Sequence, residues 1–329
     1  MTARLRGSDS TGRYNEGEMS RSDGWCLLLY VTLAVATGFA DLRMRTHTDH
    51  VVKVYIPGVV AGTETAPGKY RVFAPMLIDG LARATGASLE TMWYVTRLLF
   101  IFVAYAIFHA YLRTWFSPSA ALAGVSAVAA SLPLTFTNSW PHPDSIPELA
   151  LFTLGALAIA RRRDLLFAVT LACAALNRET SVFLVLLYLV AEPLSPRRLL
   201  RTALFAGEWF AIYAGLRVLR GLQHYDYWQA TRNWAELGLL PSGYDPYYRA
   251  YAYFVVILFG PMIYLALKAK GAPTFARRAL LVVPCFIAVA FIFSSIIETR
   301  IFTPLYPLVV PATMFFFFSH PQPSEKLGA

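Results

Sequence analysis

The strongest constraint on this chain is a series of apolar stretches, each close to the ~20 residues that a helix needs to cross a bilayer. They cover 24–40, 91–112, 118–135, 146–160, 199–219, 250–268, 279–297 and 301–319. In lipid every backbone N–H and C=O has to be satisfied within the protein, which leaves only helices or closed barrels, and segments of this length are helices. Composition agrees, since 57% of the 329 residues are hydrophobic and only 15% charged, far from the usual soluble balance. The fold class predicted is all-α, a polytopic transmembrane helical bundle.

One further run, 165–192, is long for one crossing and short for two, and it carries Asn177-Arg178-Glu179-Thr180 at its centre. The charges of the connections decide between the two readings. With the N-terminal segment inside, two short helices place Arg113, the Arg161-Arg162-Arg163 triplet, Arg197, Arg198 and Arg201, and Lys268, Lys270, Arg277 and Arg278 all on the cytoplasmic side. A single crossing would invert every later loop and put the basic stretch KAKGAPTFARR outside. The sequence therefore predicts about ten membrane segments in a multi-pass cell-membrane protein, with both termini cytoplasmic. Residues 1–23, polar and rich in Ser, Gly and Arg, read as a disordered cytoplasmic tail. Residues 24–319 form the transmembrane domain and 320–329 a short cytoplasmic tail. The first apolar segment lacks a small-residue cleavage site and is expected to be a span, not a signal peptide.

Other classes find less support. Cys26, Cys173 and Cys285 lie in apolar segments without CxxC or Cys/His spacing, so neither a disulfide framework nor a metal site is predicted. The net charge of +9 is spread between membrane segments, without the aromatic-interleaved basic stripe of a nucleic-acid binder, so no nucleic acid is expected as partner. No cofactor is expected.

On the ten-segment topology the unusual polar residues collect at the extracytoplasmic face. Arg178 and Glu179 stand at the tip of a shallow hairpin; a charge at bilayer depth costs about 2.5–3.5 kcal/mol on insertion scales, so such residues face a cavity or a partner. They could equally pair with each other or cap helix ends. The long connection 41–90 shows helical spacing at Val52, Tyr55, Ile56 and Val59 after Asp49, and again at Val72, Met76, Leu77 and Leu81. Two interfacial helices are predicted there. The same connection defies the charge rule by carrying Arg43, Arg45, Lys53, Lys69, Arg71 and Arg83 outside. Such cations suit a phosphate-bearing partner, or ordinary membrane lipid head groups. The turn 136–147 contributes His142 and Asp144, stiffened by Pro141, Pro143 and Pro147, and the last outer turn contributes Glu298 and Arg300. Aromatics of 220–249, among them Tyr225, Tyr227, Trp228, Trp234, Tyr244, Tyr247 and Tyr248, read first as an interfacial belt.

Carboxylates and cations from several outer turns, facing one leaflet, are what acid/base chemistry on a phosphorylated substrate requires. At this point the stretches TDHVVKVYIPGVVAG, YRVFAPML, ALNRETSVFL and ETRIFTPLYPL, in this topology, resemble the small bacterial members of the GT-C-type membrane glycosyltransferases. The resemblance implies transfer of a sugar, with inversion, from a polyprenyl-phosphate donor to a glycan, lipid or protein acceptor. It implies a catalytic acid in the first outer loop, which falls on Asp49, with Asp41 as rival because the paired acid of many relatives is here Asp49-His50. It further implies donor-phosphate binding by Arg178, Lys53, Arg71 and Arg300, and orientation of substrate or cations by His50, His142, Asp144, Glu179 and Glu298. No metal is implied, since cations suffice for a monophosphate leaving group. A polyprenyl-lipid or glycolipid transporter is the alternative, although no inverted repeat relates the two halves.

Overall fold

A computed structural model of the chain describes residues 21–44, 48–136, 142–225, 228–239 and 246–318. The side chains of 21–23, of Met44 and of 246–252 lie outside that description. Of the predicted tails 1–23 and 320–329, residues 1–20 and 320–329 fall outside the described residues, as do Arg45, Pro141, Tyr227 and Tyr244 and the side chains of Tyr247 and Tyr248, while 21–23 form the start of a helix. Among the described residues every regular element is helical. The chain runs through α1 (Arg21–Met44), α2 (Thr48–His50), a π-helical turn at Val51–Tyr55, α3 (Ile56–Ala61), α4 (Phe73–Thr85), α5 (Leu89–Leu112), α6 (Pro118–Ser131), α7 (Ser145–Ala160) and α8 (Asp164–Asn177). It continues with α9 (Val182–Val190), α10 (Pro196–Arg220), α11 (Ala230–Glu236), α12 (Pro246–Lys268), α13 (Thr274–Ala279), α14 (Val282–Phe293), a 3-10 stretch at Thr299–Leu305 and α15 (Tyr306–Phe318).

Among the described residues five segments are long and apolar enough to cross a membrane: Gly24–Arg43, Leu89–Leu112, Pro118–Phe136, Thr274–Phe293 and Thr299–Phe318. Their helix starts are written locally. Ser88 and Ser117 accept hydrogen bonds from the backbone N–H of Thr91 and Ala120 and so cap α5 and α6, and Ser195 does the same for α10 through Arg198; Pro118 and Pro196 occupy first-turn positions that have no use for an N–H. α7 is apolar all round and almost wholly buried, as a helix without a polar face must be. It packs against α5, α8, α9 and α15 and forms the centre of the bundle with α15. α1 lies at the rim, packed on α5 and α6, and turns Trp25, Leu28, Val35 and Phe39 outward. An apolar face of that size on the outside of a bundle suits lipid.

The ambiguous run 165–192 folds as two short helices that double back. Phe167 in α8 packs on Tyr188 in α9, and Tyr188 donates a 3.1 Å hydrogen bond to Asp164 at the start of α8. Its tip is Arg178, whose extended backbone (φ −163°, ψ 147°) breaks the helix before the 3-10 turn Glu179–Ser181.

The predicted helical spacing after Asp49 becomes a helix that buries Val52, Tyr55, Ile56 and Val59, with five residues wound as a π turn. Gly62, in the left-handed region (φ 77°), ends it. In the second segment the face differs from the expected one. α4 turns Ala74, Pro75 and Ile78 inward, while Met76 and Leu77 are exposed, because α5 is packed on the side that carries the small residues.

Candidate functional site

The hairpin tip, the turn that ends in Arg71, the start of α7, the end of α10 and the turn before α15 meet at one end of the bundle, and each brings a charge; the helix that carries Tyr55 lies beside them. Arg71 leaves the short 3-10 turn Gly68–Tyr70 and donates through Nε to Glu179 (3.2 Å) and through Nη1 to Asp144 (3.4 Å). Arg178 donates through Nη1 to Glu148 (2.6 Å) and holds Nε 3.7 Å from Asp144. Arg300 binds Glu298 (2.6 Å) and Ser145 (3.4 Å). Arg217, near the end of α10, is 3.8 Å from Glu179 and lies flat on the Tyr213 ring, 3.4 Å from its centroid, with Tyr70 at 4.5 Å. Thr180 completes Glu148 by donating to its second oxygen.

Local structure explains how these groups reach one place. Extended backbone at Arg178 sends successive side chains in opposite directions, so Arg178 reaches into the bundle towards Glu148 while Glu179 turns to Arg71 and Arg217. Asn177 anchors the tip by donating to the Asp144 carbonyl (2.9 Å), and Trp209 of α10 donates to Ser181 (2.9 Å). A Cβ at Gly68 would stand 2.9 Å from the Tyr55 ring, so only glycine lets Tyr55 pass and set its ring edge-on to His142 at 4.9 Å.

Four guanidinium groups thus face four carboxylates, Asp144, Glu148, Glu179 and Glu298. Asp144 is wholly buried. Burial opposes its ionisation, but Arg71 and Arg178, helped by His142 and Arg300, hold its carboxyl well below the usual range. Burial likewise works against the Arg71 charge, and Glu179 and Asp144 more than offset it, so Arg71 keeps its proton. Glu298, against the cost of burial, is held down to about 2 by Arg300. Burial, reinforced by Arg300, pushes His142 down to about 3 despite Asp144 beside it.

The pairing is incomplete. Tyr55 Oη, His142 Nδ1, Asp144 Oδ1, Arg178 Nε, Glu179 Oε1, Arg217 Nη2 and Arg300 Nε are buried here without a hydrogen-bond partner. Buried polar groups are rarely left so, and seven in one cluster mark a place where water or a polar ligand completes the network. A cavity of about 10 Å³ lined by Glu148, Asn177, Arg178, Thr180 and Ser181 has room for a single water.

Of the residues singled out in the sequence, Arg71, His142, Asp144, Arg178, Glu179, Glu298 and Arg300 are thus brought together. Arg178 and Glu179 do not pair with each other. Asp49 and Lys53 stand apart from the cluster: they pair at 2.9 Å on an exposed helix face with side chains 79% and 71% accessible, and His50 beside them is exposed as well. Asp41 is fully buried and takes a charge-assisted hydrogen bond from Arg97 Nε. Sequence reasoning had passed over Arg97, Arg217 and the role of Glu148. An arginine inside an apolar 24-residue helix was itself a sufficient flag for Arg97. Among the described residues no three His, Cys, Asp or Glu side chains are grouped as a metal ion would need them. No family model, curated protein or solved structure matches this chain.

The electrostatics of His142 make a prediction. Below pH 6.5 the unfolded chain binds a proton at this residue that the folded chain refuses until about pH 3, so its contribution to stability falls as pH drops through that window. Arg300, Asp144, Arg71 and Glu298 surround it, and the carboxyls of Asp144 and Glu298, held low, and the Arg71 guanidinium, held high, keep their charges between pH 5 and 8. His142→Gln should therefore flatten the loss of thermal stability between pH 6.5 and 5, measured on purified protein in detergent. An unchanged pH dependence would show that His142 titrates alike in both states.

Proposed function

We propose that this chain is a membrane-embedded glycosyltransferase that moves a sugar, with inversion, from a polyprenyl-phosphate donor to an acceptor on the extracytoplasmic side. The observation that carries the reading is the cluster of Arg71, Arg178, Arg217 and Arg300 at one end of the bundle, with guanidinium N–H groups still unpartnered. Guanidinium forks match phosphate oxygens in pairs, and in a water-poor site they stabilise a leaving phosphate most where its charge grows. The five long apolar segments, with α7, α8, α9, α10 and α12, make up the proposed ten crossings, and the helices between Thr48 and Thr85 lie along the interface.

In the proposed reaction the acceptor hydroxyl oxygen attacks the anomeric carbon as the bond from that carbon to the phosphate oxygen breaks. Its proton passes to a carboxylate of the first outer loop, and polyprenyl phosphate departs against Arg178 and Arg71. Asp49 is the better base of the two candidates. It is accessible, whereas Asp41 is enclosed and committed to Arg97. Asp49 lies six positions before Tyr55 on the same helical stretch, and the sugar would lie between this base and the arginines. The buried carboxylates keep the cations in place. The test is release of free polyprenyl phosphate by purified protein from radiolabelled polyprenyl-phosphate sugars of several kinds. Acceptor-dependent release is expected; intact donor moving across proteoliposomes without release would replace this reading by transport.

The topology makes a separate prediction. In a background without Cys26, Cys173 and Cys285, a cysteine at Thr85, exposed at the end of α4, should react with an impermeant maleimide added to intact cells. One at Ser119, exposed at the start of α6, should react only after lysis. The opposite pattern would invert the bundle and place the arginine cluster on the cytoplasmic side.

A further inference from the structure

Glu179 occupies an unusual position among the four carboxylates. Asp144 is wholly enclosed and Glu148 nearly so, and Glu298, 39% accessible, is held by Arg300 at 2.6 Å, whereas the Glu179 side chain, 27% accessible, stands between two guanidinium groups without a contact that short. Oε2 accepts from Arg71 at 3.2 Å, while Oε1 and the facing Arg217 Nη2 are 3.8 Å apart, each without a hydrogen bond. Arg217 is held ready for an anion. Its guanidinium carbon lies over both the Tyr213 and the Tyr70 rings, 3.4 and 4.5 Å from their centroids, and Nη1 is fixed on the Tyr213 carbonyl at 3.2 Å. Two aromatic faces fix the plane of a guanidinium at little further entropic cost.

We infer that Arg71 and Arg217 form the seat of the donor's phosphate, and that Glu179 is its placeholder, a carboxylate that fills the seat in the unliganded protein and swings out when the donor's phosphodiester arrives. A carboxylate and a phosphate offer a guanidinium the same pair of oxygens, so one can stand in for the other. The looseness of the Arg217 contact, against 2.6 Å for Arg178–Glu148, marks Glu179 as the carboxylate that yields. Asp144 stays and keeps Arg71 aimed through Nη1. Exposure of Glu179 gives it somewhere to go, and the 3-10 turn that carries it is anchored through Ser181, not through Glu179 itself. Arg217 thereby becomes a donor-binding residue.

This inference rests on the proposed function, and the sign of one substitution separates it from a purely structural role for Glu179. Binding of undecaprenyl phosphate to purified protein in nanodiscs is measured against phosphatidylglycerol as the ordinary-lipid control. Removing the competitor should tighten binding: Glu179→Gln is expected to bind about three- to tenfold more tightly than wild type, the effect of one modest charge-assisted contact. Glu179→Asp, too short to reach Arg217, should move in the same direction and serves if the first variant does not fold. Arg217→Gln should bind at least about tenfold more weakly. Unchanged or weaker binding in both folded Glu179 variants would overturn the placeholder role while leaving the proposed function standing. Wild-type protein that does not prefer undecaprenyl phosphate to phosphatidylglycerol would overturn both.

Discussion

Asp49→Asn is expected to lower kcat/KM for sugar transfer by about 10²–10⁴-fold, the usual contribution of a positioned general base, while the variant folds and binds donor as the wild type does. Its carboxylate is exposed and paired with Lys53 on the next turn, an ion pair that solvent screens and that adds little to stability. Asp41→Asn should behave in the opposite way. Asp41 and Arg97 are both buried and joined directly, with Arg97 also over the Trp93 and Phe136 rings. Removing one partner of a buried pair costs about 3–5 kcal/mol, because the other charge is left uncompensated. A low yield of folded protein with near-normal transfer per folded molecule is therefore expected for Asp41→Asn. A folded but inactive Asp41→Asn beside an active Asp49→Asn would exchange the two roles. Kinetics and thermal midpoints of both variants, taken together, decide it.

Much of this architecture was legible in the residues. Apolar length marked the helices, and the basic connections argued for folding 165–192 into two short helices, which Phe167, Tyr188 and Asp164 bear out by meeting at the open end of the hairpin. Spacing alone placed Val52, Tyr55, Ile56 and Val59 on one buried face. Other parts were hidden for physical reasons. The buried face of α4 is not legible in the sequence because the helix has apolar residues on two sides, Ala74, Pro75 and Ile78 on one and Met76 and Leu77 on the other, and period alone does not say which one meets the rest of the protein. Arg97 escaped attention because its partner lies 56 residues away at the far end of another apolar helix, a pairing that no local pattern encodes. Arg217 looked like a basic residue at a helix end. Only the folded chain brings the Tyr70 ring to its guanidinium. Conversely, Arg178 and Glu179 are neighbours in sequence and invite a pairing that one extended residue prevents.

Arg178→Gln is expected to have the other large effect. It leaves Glu148 with a single donor, Thr180, and takes a guanidinium from beside Asp144, so stability should fall by about 3–5 kcal/mol and transfer should be lost. Arg178→Lys keeps the charge but not the planar fork. It should fold, with a thermal midpoint near that of the wild type, and turn over donor at least about tenfold more slowly.

The most direct test of the claim that Arg178 acts on the donor's phosphate is the activity of the double variant Arg178→Gln with Glu148→Gln. Glu148 is the partner that binds Arg178 at 2.6 Å, so neutralising both removes the uncompensated buried charge and should recover much of the stability lost in the single variant. The measurement is acceptor-dependent release of polyprenyl phosphate from a polyprenyl-phosphate sugar by the folded fraction of that variant. The account predicts recovered folding without recovered transfer, because the leaving phosphate still lacks one of the cations that stabilise its growing charge. Transfer at the wild-type rate in the double variant would contradict it and leave Arg178 with a structural role alone.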